Sequence, residues 1–363
     1  MDIIERWNKK VSKLVKLRNA LKDQELDGLI ITNPYNRRYT TDFTGTAGLA
    51  LITHTDQIFI TDFRYTEQAA EQAVGFEIVQ HKQSIIKELA EQIKKHDLNR
   101  VGFEQDDLTY SVYQQYREAI DADLVPTSGM IEKLRMIKTD EELKIMSRAA
   151  EIADIAYDHI LKTVEPGMTE IDVSNALEFS MRENGATSSS FDIIVASGHR
   201  SALPHGVASS KKIAEGELVT LDFGALYNGY CSDITRTFAV GEISEELHDI
   251  YQTVLQAHLQ GLANIKPGMT GKEADALSRD YIKDKGYGEY FGHGTGHGLG
   301  LEVHEEPRLS PTGQIVLEEN MVVTVEPGIY IPNVGGCRIE DDLVITADGN
   351  RSLNKAPKEL IVI

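Results

Sequence analysis

The chain has 363 residues, which is enough for roughly two domains with a sizeable core. Its hydrophobic content of 41% and charged content of 26% are ordinary for a globular protein. A formal net charge of −20 argues against a nucleic-acid partner, which would require a basic surface. There is no apolar signal segment at the N-terminus, no apolar run approaches the roughly 18 residues of a membrane span, and only two cysteines occur. We therefore expect a cytoplasmic protein without a membrane partner.

Residues 1–128 predict an α/β domain. The predicted elements, in chain order, are an amphipathic N-terminal helix, a strand at Gly28–Thr32, paired strands at 47–53 and 57–61, helices at 65–73, 85–95 and 110–120, and short strands near Phe76, Val101 and Leu124. Such alternation predicts helices packed on a mixed sheet. Arg37, Arg38 and Arg64 are interpreted as solvated surface.

The best linker candidate is Pro126–Gly129, so residues 129–363 are predicted to form the second domain. Glu132–Val164 has the apolar spacing of one long helix. An internal repeat follows, because the sequence VEPGMT at Val164–Thr169 recurs as IKPGMT at Ile265–Thr270. Each copy precedes a helical stretch, so a half-domain is predicted to occur twice.

The strand Leu218–Gly224 and its return predict a β-hairpin, with Asn228-Gly229 as its two-residue turn. This turn would place Asp222 opposite Thr235. Asp233, two positions along, would then project from the same face as Asp222. Burying two acids is costly unless a positive charge compensates them. From these residues alone, a cation site and a solvated hairpin edge are equally supported.

A second copy of this strand favours the cation site. Val322–Gly328 matches Leu218–Gly224 position by position, with Glu326 at the place of the first acid, and its return strand carries Glu340. The register of this second hairpin stays open, because its loop is longer and Pro327 interrupts the ladder. Two carboxylate pairs that meet across a pseudo-two-fold axis would form a dinuclear metal site.

Four histidines lie in glycine-rich contexts and are interpreted as functional, since histidine is a common metal ligand and proton carrier. They are His205, His293, His297 and His304. Six others are interpreted as ordinary surface or core residues, the last two on a helix surface: His54, His81, His96, His159, His248 and His258. One imidazole among four carboxylates is an oxygen-dominated set that favours Mn²⁺.

The order Asp222, Asp233, His297, Glu326, Glu340 resembles the five-ligand signature of the pita-bread metallopeptidases, which include methionine aminopeptidase, aminopeptidase P, prolidase and creatinase. The stretch His293–His304 is similar to the proline-peptidase motif. The first third resembles the creatinase-type N-terminal domain, with residues 36–45 as its usual turn. The implied fold is an α/β creatinase-like N-terminal domain followed by an α+β pita-bread catalytic domain with an internal pseudo-two-fold repeat.

The resemblance implies hydrolysis of the peptide bond before a penultimate proline by a metal-bridged hydroxide, as an Xaa-Pro aminopeptidase or Xaa-Pro dipeptidase. It implies two divalent ions, Mn²⁺ first, with Co²⁺ or Zn²⁺ as alternatives. The resemblance implies that Asp233 and Glu340 bridge the two ions, that Asp222 binds one ion, and that His297 and Glu326 bind the other. It implies that Glu326 is also the proton acceptor and that His205 and His304 form hydrogen bonds with the scissile carbonyl. His293 and Arg338 are the implied substrate-binding residues.

The expected partners are a small peptide with proline at position two and a second copy of the chain in a homodimer. Two other functions are compatible with the sequence. One is a creatinase-like amidinohydrolase, and the other is a non-catalytic, metal-stabilised binding protein of the same fold.

Overall fold

The computed structural model describes residues 3–363, with side chains from residue 12 onward. These residues form two compact units that divide between Arg135 and Met136. Residue 128, after which the sequence predicts the boundary, lies in the short segment between the last strand of the first unit and the following helix. Within residues 3–363, no helix combines the length and the apolar character needed to cross a bilayer.

The first unit is an α/β structure built on one six-stranded mixed sheet. Its strands are β1 (Gly28–Ile31), β2 (Leu49–Thr53), β3 (Gln57–Thr61), β4 (Glu77–Gln80), β5 (Arg100–Glu104) and β6 (Asp123–Thr127). Its helices are α1 (Ile3–Asp23), α2 (Pro34–Thr41), α3 (Thr66–Gln72), α4 (Ile85–Lys95), α5 (Tyr110–Ala119) and α6 (Met130–Met136), which ends just beyond the division. The sheet order is β4-β3-β2-β1-β5-β6, with parallel pairs β1–β5, β5–β6 and β3–β4. The predicted alternation on a mixed sheet is confirmed.

The segment 36–45 was expected to be a turn, but its first half is helical. α2 begins at Pro34, and the side chain of Asn33 accepts backbone N–H groups of the first turn. Asparagine before a helix and proline at its first position are both helix-start signals. The helix ends at Asp42, which adopts a left-handed conformation with φ of 63°.

Arg37 also differs from its prediction as solvated surface. Its side chain is buried, and the guanidinium donates hydrogen bonds to the carbonyl oxygens of Gly48 at 2.7 Å and Gly45 at 2.9 Å. Arg64 is exposed, as predicted, and pairs with Asp62. Arg37 therefore fastens the loop that follows α2, a role that depends on contacts distant from its own position in the helix.

The second unit contains four more helices and thirteen strands among its described residues. The helices are α7 (Asp140–Thr163), α8 (Glu170–Glu183), α9 (Glu245–Asn264) and α10 (Gly271–Asp284). The strands are β7 (Ser188–Ser189), β8 (Ile194–Ser197), β9 (Glu217–Phe223), β10 (Ala225–Tyr227), β11 (Tyr230–Cys231), β12 (Ile234–Val240), β13 (Gly296–Gly298), β14 (Glu305–Leu309), β15 (Val322–Val325), β16 (Gly328–Ile331), β17 (Gly335–Arg338), β18 (Asp341–Ile345) and β19 (Asn350–Ser352).

The single long helix predicted over Glu132–Val164 is wrong, because the chain breaks between α6 and α7. Thr139 caps α7 by accepting the N–H of Glu142, and the Glu142 carboxylate accepts the Thr139 N–H in return. This capping box satisfies two backbone donors at a helix start and ends the continuity of the apolar pattern. The sequence TDEE at 139–142 carries the signal, which the helical spacing around it concealed.

The predicted repeat is a structural repeat. α8 and α10 are each 14 residues long, and each begins with a capping box, Thr169 with Asp172 and Thr270 with Glu273. Each follows a long helix, α7 or α9, and precedes strands of the site. We call residues 140–240 the first half and residues 245–345 the second half. The two halves place equivalent hairpins in one unit.

Candidate metal centre

The hairpin of the first half has the predicted register. β9 and β12 are antiparallel with Asp222 opposite Thr235, and the ladder continues through β10 and β11 to the turn. Asn228 and Gly229 have φ of 48° and 83°, the left-handed conformation that such a two-residue turn requires. Asp222 and Asp233 therefore lie diagonally on one face of the hairpin.

The register of the second hairpin, which the sequence left open, is set by two ladders on either side of Pro327. Val325 lies opposite Asp341 in β15–β18, and Gly328 lies opposite Arg338 in β16–β17. The same register places Glu326 directly opposite Glu340. The second pair of acids is therefore opposed and not diagonal.

The return strands of the two hairpins lie side by side. The N–H of Glu340 donates to the carbonyl oxygen of Thr235 at 3.0 Å, and the N–H of Asp233 donates to the Asp342 carboxylate at 3.1 Å. This contact joins the two halves at their acids. As a result, one ligand atom from each of Asp233, Glu340 and His297 lies within 4.8 Å of the others.

His297 enters the site from β13. Its backbone N–H donates to Thr324 Oγ1 at 3.1 Å, and its Nδ1 lies 3.0 Å from the carbonyl oxygen of Gly298. Since a carbonyl can only accept, Nδ1 carries the hydrogen, and in the neutral ring Nε2 keeps its lone pair. Nε2 points at the acids, 3.3 Å from Glu326 Oε1 and 3.7 Å from Asp233 Oδ2. The imidazole is thus oriented as a metal ligand.

The carboxylates of the site fit a cationic ligand. Within residues 12–363, Asp222 Oδ1, Asp233 Oδ1 and Glu340 Oε1 are buried without a hydrogen-bond partner. Burial, reinforced by neighbouring carboxylates, raises the pKa of Asp233 and of Glu340 well above the ordinary value. Buried acids with free lone pairs and mutual repulsion are stabilised in the charged form by a nearby cation.

Glu326 differs from the other acids. Burial acts to raise its pKa, but when the His297 ring is doubly protonated, its Nε2–H and its charge outweigh burial and lower the pKa of Glu326 to about 2. Burial also raises the pKa of Asp222, but by less than for Asp233 and Glu340, because the guanidinium of Arg338 acts to lower it.

Arg338 and Thr235 orient the acids. Arg338 Nη2 donates to Asp222 Oδ2, and its Nε donates to Thr235 Oγ1 at 3.0 Å. Thr235 Oγ1 in turn donates to Glu340 Oε2 at 2.6 Å. The predicted substrate-binding residue Arg338 therefore contacts a predicted ligand, and Thr235, which the sequence analysis did not select, contacts both.

His293 lies in a hydrogen-bonded chain that also includes a residue missed from the sequence. Tyr330 places its hydroxyl 2.8 Å from His293 Nε2 and 2.7 Å from Arg338 Nη1. Burial raises the pKa of Tyr330, so the hydroxyl keeps its proton at neutral pH. Burial also lowers the pKa of His293. The motif GIY after the glutamate–proline pair was the only available signal for Tyr330.

All nine predicted site residues line one cavity of about 570 Å³. They are Asp222, Asp233, His297, Glu326 and Glu340 with His205, His293, His304 and Arg338. His205 and His304 are the most exposed of them. Further lining residues are mostly apolar, together with one cation and two polar side chains: Phe191, Ile194, Pro204, Val207, Val303, Arg308, Asp192 and Ser310. The cavity therefore combines a carboxylate-rich floor with an apolar wall.

The far side of the same return strands carries a buried ion pair. Arg236 Nη2 donates to Asp341 Oδ1 at 2.7 Å, and its Nη1 donates to the carbonyl oxygens of Thr235 and Glu340 at 2.9 and 2.5 Å. His258, predicted on a helix surface, is fully buried and lies 3.4 Å from Asp341. The prediction for His258 is wrong because α9 turns this side into the core.

Residues 144–347 match metallopeptidase family M24, and residues 13–137 match the creatinase/prolidase N-terminal domain. With these matches spanning most of the chain, and with a pita-bread repeat whose four acids and one imidazole share a cavity, the protein belongs to the M24 metallopeptidases.

Similar proteins carry related names. A structure of an Xaa-Pro dipeptidase from Bacillus anthracis is 61% identical, has a TM-score of 0.96, and is matched over 98% of this chain and 100% of that one. The Xaa-Pro dipeptidase of Pyrococcus furiosus is 42% identical over 96% of this chain and 99% of its own length. The structure of an X-Pro aminopeptidase from Thermotoga maritima has a TM-score of 0.89 at 37% identity, over 93% of this chain and 98% of that one. These similarities do not favour the amidinohydrolase or the binding-protein alternative.

Proposed function

We propose that the protein is a metal-dependent peptidase that cleaves the bond between an N-terminal residue and a penultimate proline. The observation that carries this proposal is the cluster of Asp233, Glu340 and His297, whose ligand atoms converge while buried carboxylate oxygens beside them lack partners. The close similarity to the Xaa-Pro dipeptidase of Bacillus anthracis supports the substrate class.

We propose two divalent ions held by Asp222, Asp233, His297, Glu326 and Glu340. Bound divalent ions supply a water of lowered pKa and polarise a carbonyl oxygen. Four carboxylates and one imidazole favour Mn²⁺, with Co²⁺ and Zn²⁺ as alternatives. A homodimer and a cytoplasmic location stay predictions, and light scattering in solution tests the first of them.

His304 and His205 would form hydrogen bonds with the carbonyl oxygen of the scissile bond. His304 packs edge-on against His297 with ring centroids 4.5 Å apart, and partial desolvation at the cavity wall lowers the pKa of His304. A neutral His304 can donate one hydrogen bond to the oxygen of the scissile bond, and His205 lies in the same cavity for the same purpose. Glu326 has the acceptor oxygen for the proton that the nucleophile loses, and it can pass this proton to the leaving nitrogen.

A proline nitrogen suits this cavity, because the Xaa-Pro amide has no N–H to satisfy. The apolar wall offers contacts for the pyrrolidine ring through side chains such as Phe191, Ile194 and Val207. Peptidases that depend on hydrogen bonding to the amide N–H would lose that contact with proline. Here, the groups that surround the acids address the carbonyl oxygen instead.

Arg308 favours a dipeptide substrate. It lines the cavity from β14 and forms no salt bridge with any of the described residues. A free guanidinium at this place can pair with the carboxylate that ends an Xaa-Pro dipeptide, often in bidentate geometry. We therefore propose Xaa-Pro dipeptidase activity as the main activity.

The test compares Ala-Pro, Ala-Pro-Ala and Ala-Ala with protein stripped of metal and reloaded with Mn²⁺, Co²⁺ or Zn²⁺. We expect the fastest hydrolysis for Ala-Pro with Mn²⁺ and no hydrolysis of Ala-Ala. Arg308→Gln should reduce kcat/KM for Ala-Pro by about tenfold, the loss of one charge-assisted contact, and leave Ala-Pro-Ala less affected. No cleavage of either proline peptide, or cleavage of creatine, would overturn the proposal.

A further inference from the structure

The segment 197–209, which carries His205, is held at both ends by one buried carboxylate. Glu170, the first residue of α8, is fully buried. Its Oε1 accepts the N–H and the hydroxyl of Ser197 at 2.8 and 2.9 Å. Its Oε2 accepts the N–H and the hydroxyl of Ser209 at 3.0 and 2.6 Å. Both oxygens of Glu170 therefore fasten the two ends of this segment to the same helix start.

Arg200 fastens the middle of the segment to the same carboxylate. Its Nη1 pairs with Glu170 Oε2, and its Nη2 donates to the carbonyl oxygen of Val207 at 2.9 Å. His205 lies between Arg200 and Val207 in the chain, and its imidazole has no hydrogen-bond partner among the described residues. The place of the imidazole is therefore set by its backbone. These contacts hold that backbone together with two others, from Arg338 to the carbonyl oxygen of Pro204 and from the Gly336 N–H to Ser201.

From these contacts we infer that Glu170 is a positioning residue, which holds the His205 segment so that the imidazole faces the scissile carbonyl. This inference rests on the proposed function. Hydrogen bonds to an ionised acceptor are roughly twice as strong as neutral ones, and Glu170 receives five of them. A neutral amide at this position would leave Arg200 without its counter-charge and would turn two acceptors into one.

The contacts of Glu170 with segment 197–209 occur in the first half and have no counterpart at the equivalent position of the second half. The equivalent position of the repeat, at the start of α10, is Gly271, where a Cβ would overlap the carbonyl oxygen of Arg308. α10 forms with the same length and the same type of capping box although no carboxylate occupies that place. A glutamate is therefore not needed to build the half-domain, and its contacts in the first half lead to the segment of His205.

The experiment compares wild type, Glu170→Gln and the control Asp172→Asn, which weakens the cap of the same helix without touching segment 197–209. In Glu170→Gln we expect kcat for Ala-Pro to fall by about 10²-fold, as small misplacements of catalytic groups do, with KM and bound metal little changed. Amide hydrogen exchange in residues 197–209 should become faster in this variant alone. The control should retain wild-type kcat and wild-type exchange in that segment.

A double-mutant cycle with His205→Ala separates positioning from general damage. If Glu170 acts through His205, the double variant Glu170→Gln/His205→Ala has the same kcat as His205→Ala. Multiplying effects, or unchanged exchange in residues 197–209, would overturn the inference. Should Glu170→Gln fail to fold, Arg200→Gln at the more exposed end of the ion pair replaces it in the same cycle.

The two proposals fail in different ways. A wild-type protein that cleaves no Xaa-Pro peptide overturns the proposed function. A wild-type protein that cleaves Ala-Pro while Glu170→Gln matches it in kcat overturns the positioning role alone.

Discussion

The two halves of the second unit have the same topology, but their acids lie at different positions in the strand pairing. In the first half, Asp222 faces Thr235, and Asp233 comes two pairs further toward the turn. In the second half, Glu326 faces Glu340, and Arg338 takes the place equivalent to Asp233. A duplicated hairpin thus gives one diagonal and one opposed pair of acids.

The strands beside these hairpins differ as well. Thr220 and Thr324 occupy the same place of the repeated stretch. Opposite Thr220 lies Ala196, whereas Thr324 receives the backbone N–H of His297. The second half therefore supplies an imidazole where the first half supplies a methyl group. This difference accounts for a site of four carboxylates and a single histidine.

Equivalent positions of the halves also contact each other. Thr235 and Glu340 are equivalent, and they share a hydrogen bond of 2.6 Å. Arg236 and Asp341 are equivalent, and they form the buried ion pair on the far side. Divergence after duplication has thus produced complementary pairs, in which one half provides the acid and the other provides its donor.

The largest effect is expected from removing an acid of the opposed pair. Glu340→Ala should lower kcat/KM for Ala-Pro by about 10³-fold or more, since the metal contributes several kcal/mol and each 1.36 kcal/mol is tenfold. Activity assays with metal analysis by mass spectrometry measure the effect. Asp348→Asn, outside the cavity, should match wild type. Unchanged hydrolysis in Glu340→Ala would show that this site does not carry the activity, as expected for a metal-stabilised binding protein.

Breaking the pair on the far side should act on stability. Arg236→Leu leaves the buried Asp341 with Lys358 as its remaining cation and removes the donor of two buried carbonyl oxygens, so it should reduce the free energy of unfolding by about 3 kcal/mol. Denaturant unfolding measures the loss, and Arg182→Leu, which removes an exposed pair, should cost less than about 1 kcal/mol. The double variant Arg236→Leu/Asp341→Leu should recover part of the stability. Equal losses in both arginine variants would contradict the assignment.

Glu104 of the first unit shows what happens to a buried acid whose hydrogen bonds come from neutral donors. Burial raises its pKa to about 7, although Asn33 and Asn36 donate hydrogen bonds to it. Folding therefore favours the protonated form. The stability that protonated Glu104 contributes to the fold is fully present below its ordinary pKa of 4.5. It is lost as the pH rises through about 7, the pKa in the folded protein.

Thermal unfolding of the full chain between pH 5 and pH 8 tests this sign. Wild type should lose up to about 3 kcal/mol of stability relative to Glu104→Gln over this range, because each unit of pKa shift corresponds to about 1.4 kcal/mol. Parallel pH profiles of the two proteins would show that Glu104 does not titrate in this range.

The smallest effect is expected at Thr235, which serves the acids of both halves without holding a cation. Thr235→Val keeps the shape but removes the hydroxyl that joins Glu340 to Arg338, and it should weaken metal affinity or activity by about 10–100-fold. Metal titration and kcat/KM measure the loss. Thr237→Val on the same strand, which contacts the Arg338 backbone but no predicted ligand, is the matched control. Equal effects at the two positions would contradict the orienting role.

Much of the site was predictable where the signal is local. Asn228-Gly229 predicts a two-residue turn, the turn sets the register of its strands, and the register places Asp222 and Asp233 on one face. The repeat of this stretch then points to Glu326. By contrast, the turn of the second hairpin carries no such signal, so its opposed acids became visible only from the ladders on both sides of Pro327.

Residues that act through distant partners were missed or misread. Thr235, Tyr330 and Glu170 are ordinary residue types in ordinary patterns, and their importance lies in contacts with side chains far along the chain. Arg37 and His258 were assigned to the surface, because residue type and helical spacing do not reveal which face another element covers.

By itself, the sequence determined most of the elements, the duplication and the set of acids and histidines, because turn chemistry and side-chain periodicity act over a few residues. The tertiary structure alone decided how the two hairpins meet, which acid opposes which, and which polar groups hold them. Those choices depend on burial and hydrogen bonding between segments about a hundred residues apart, as in the contact of Thr235 with Glu340.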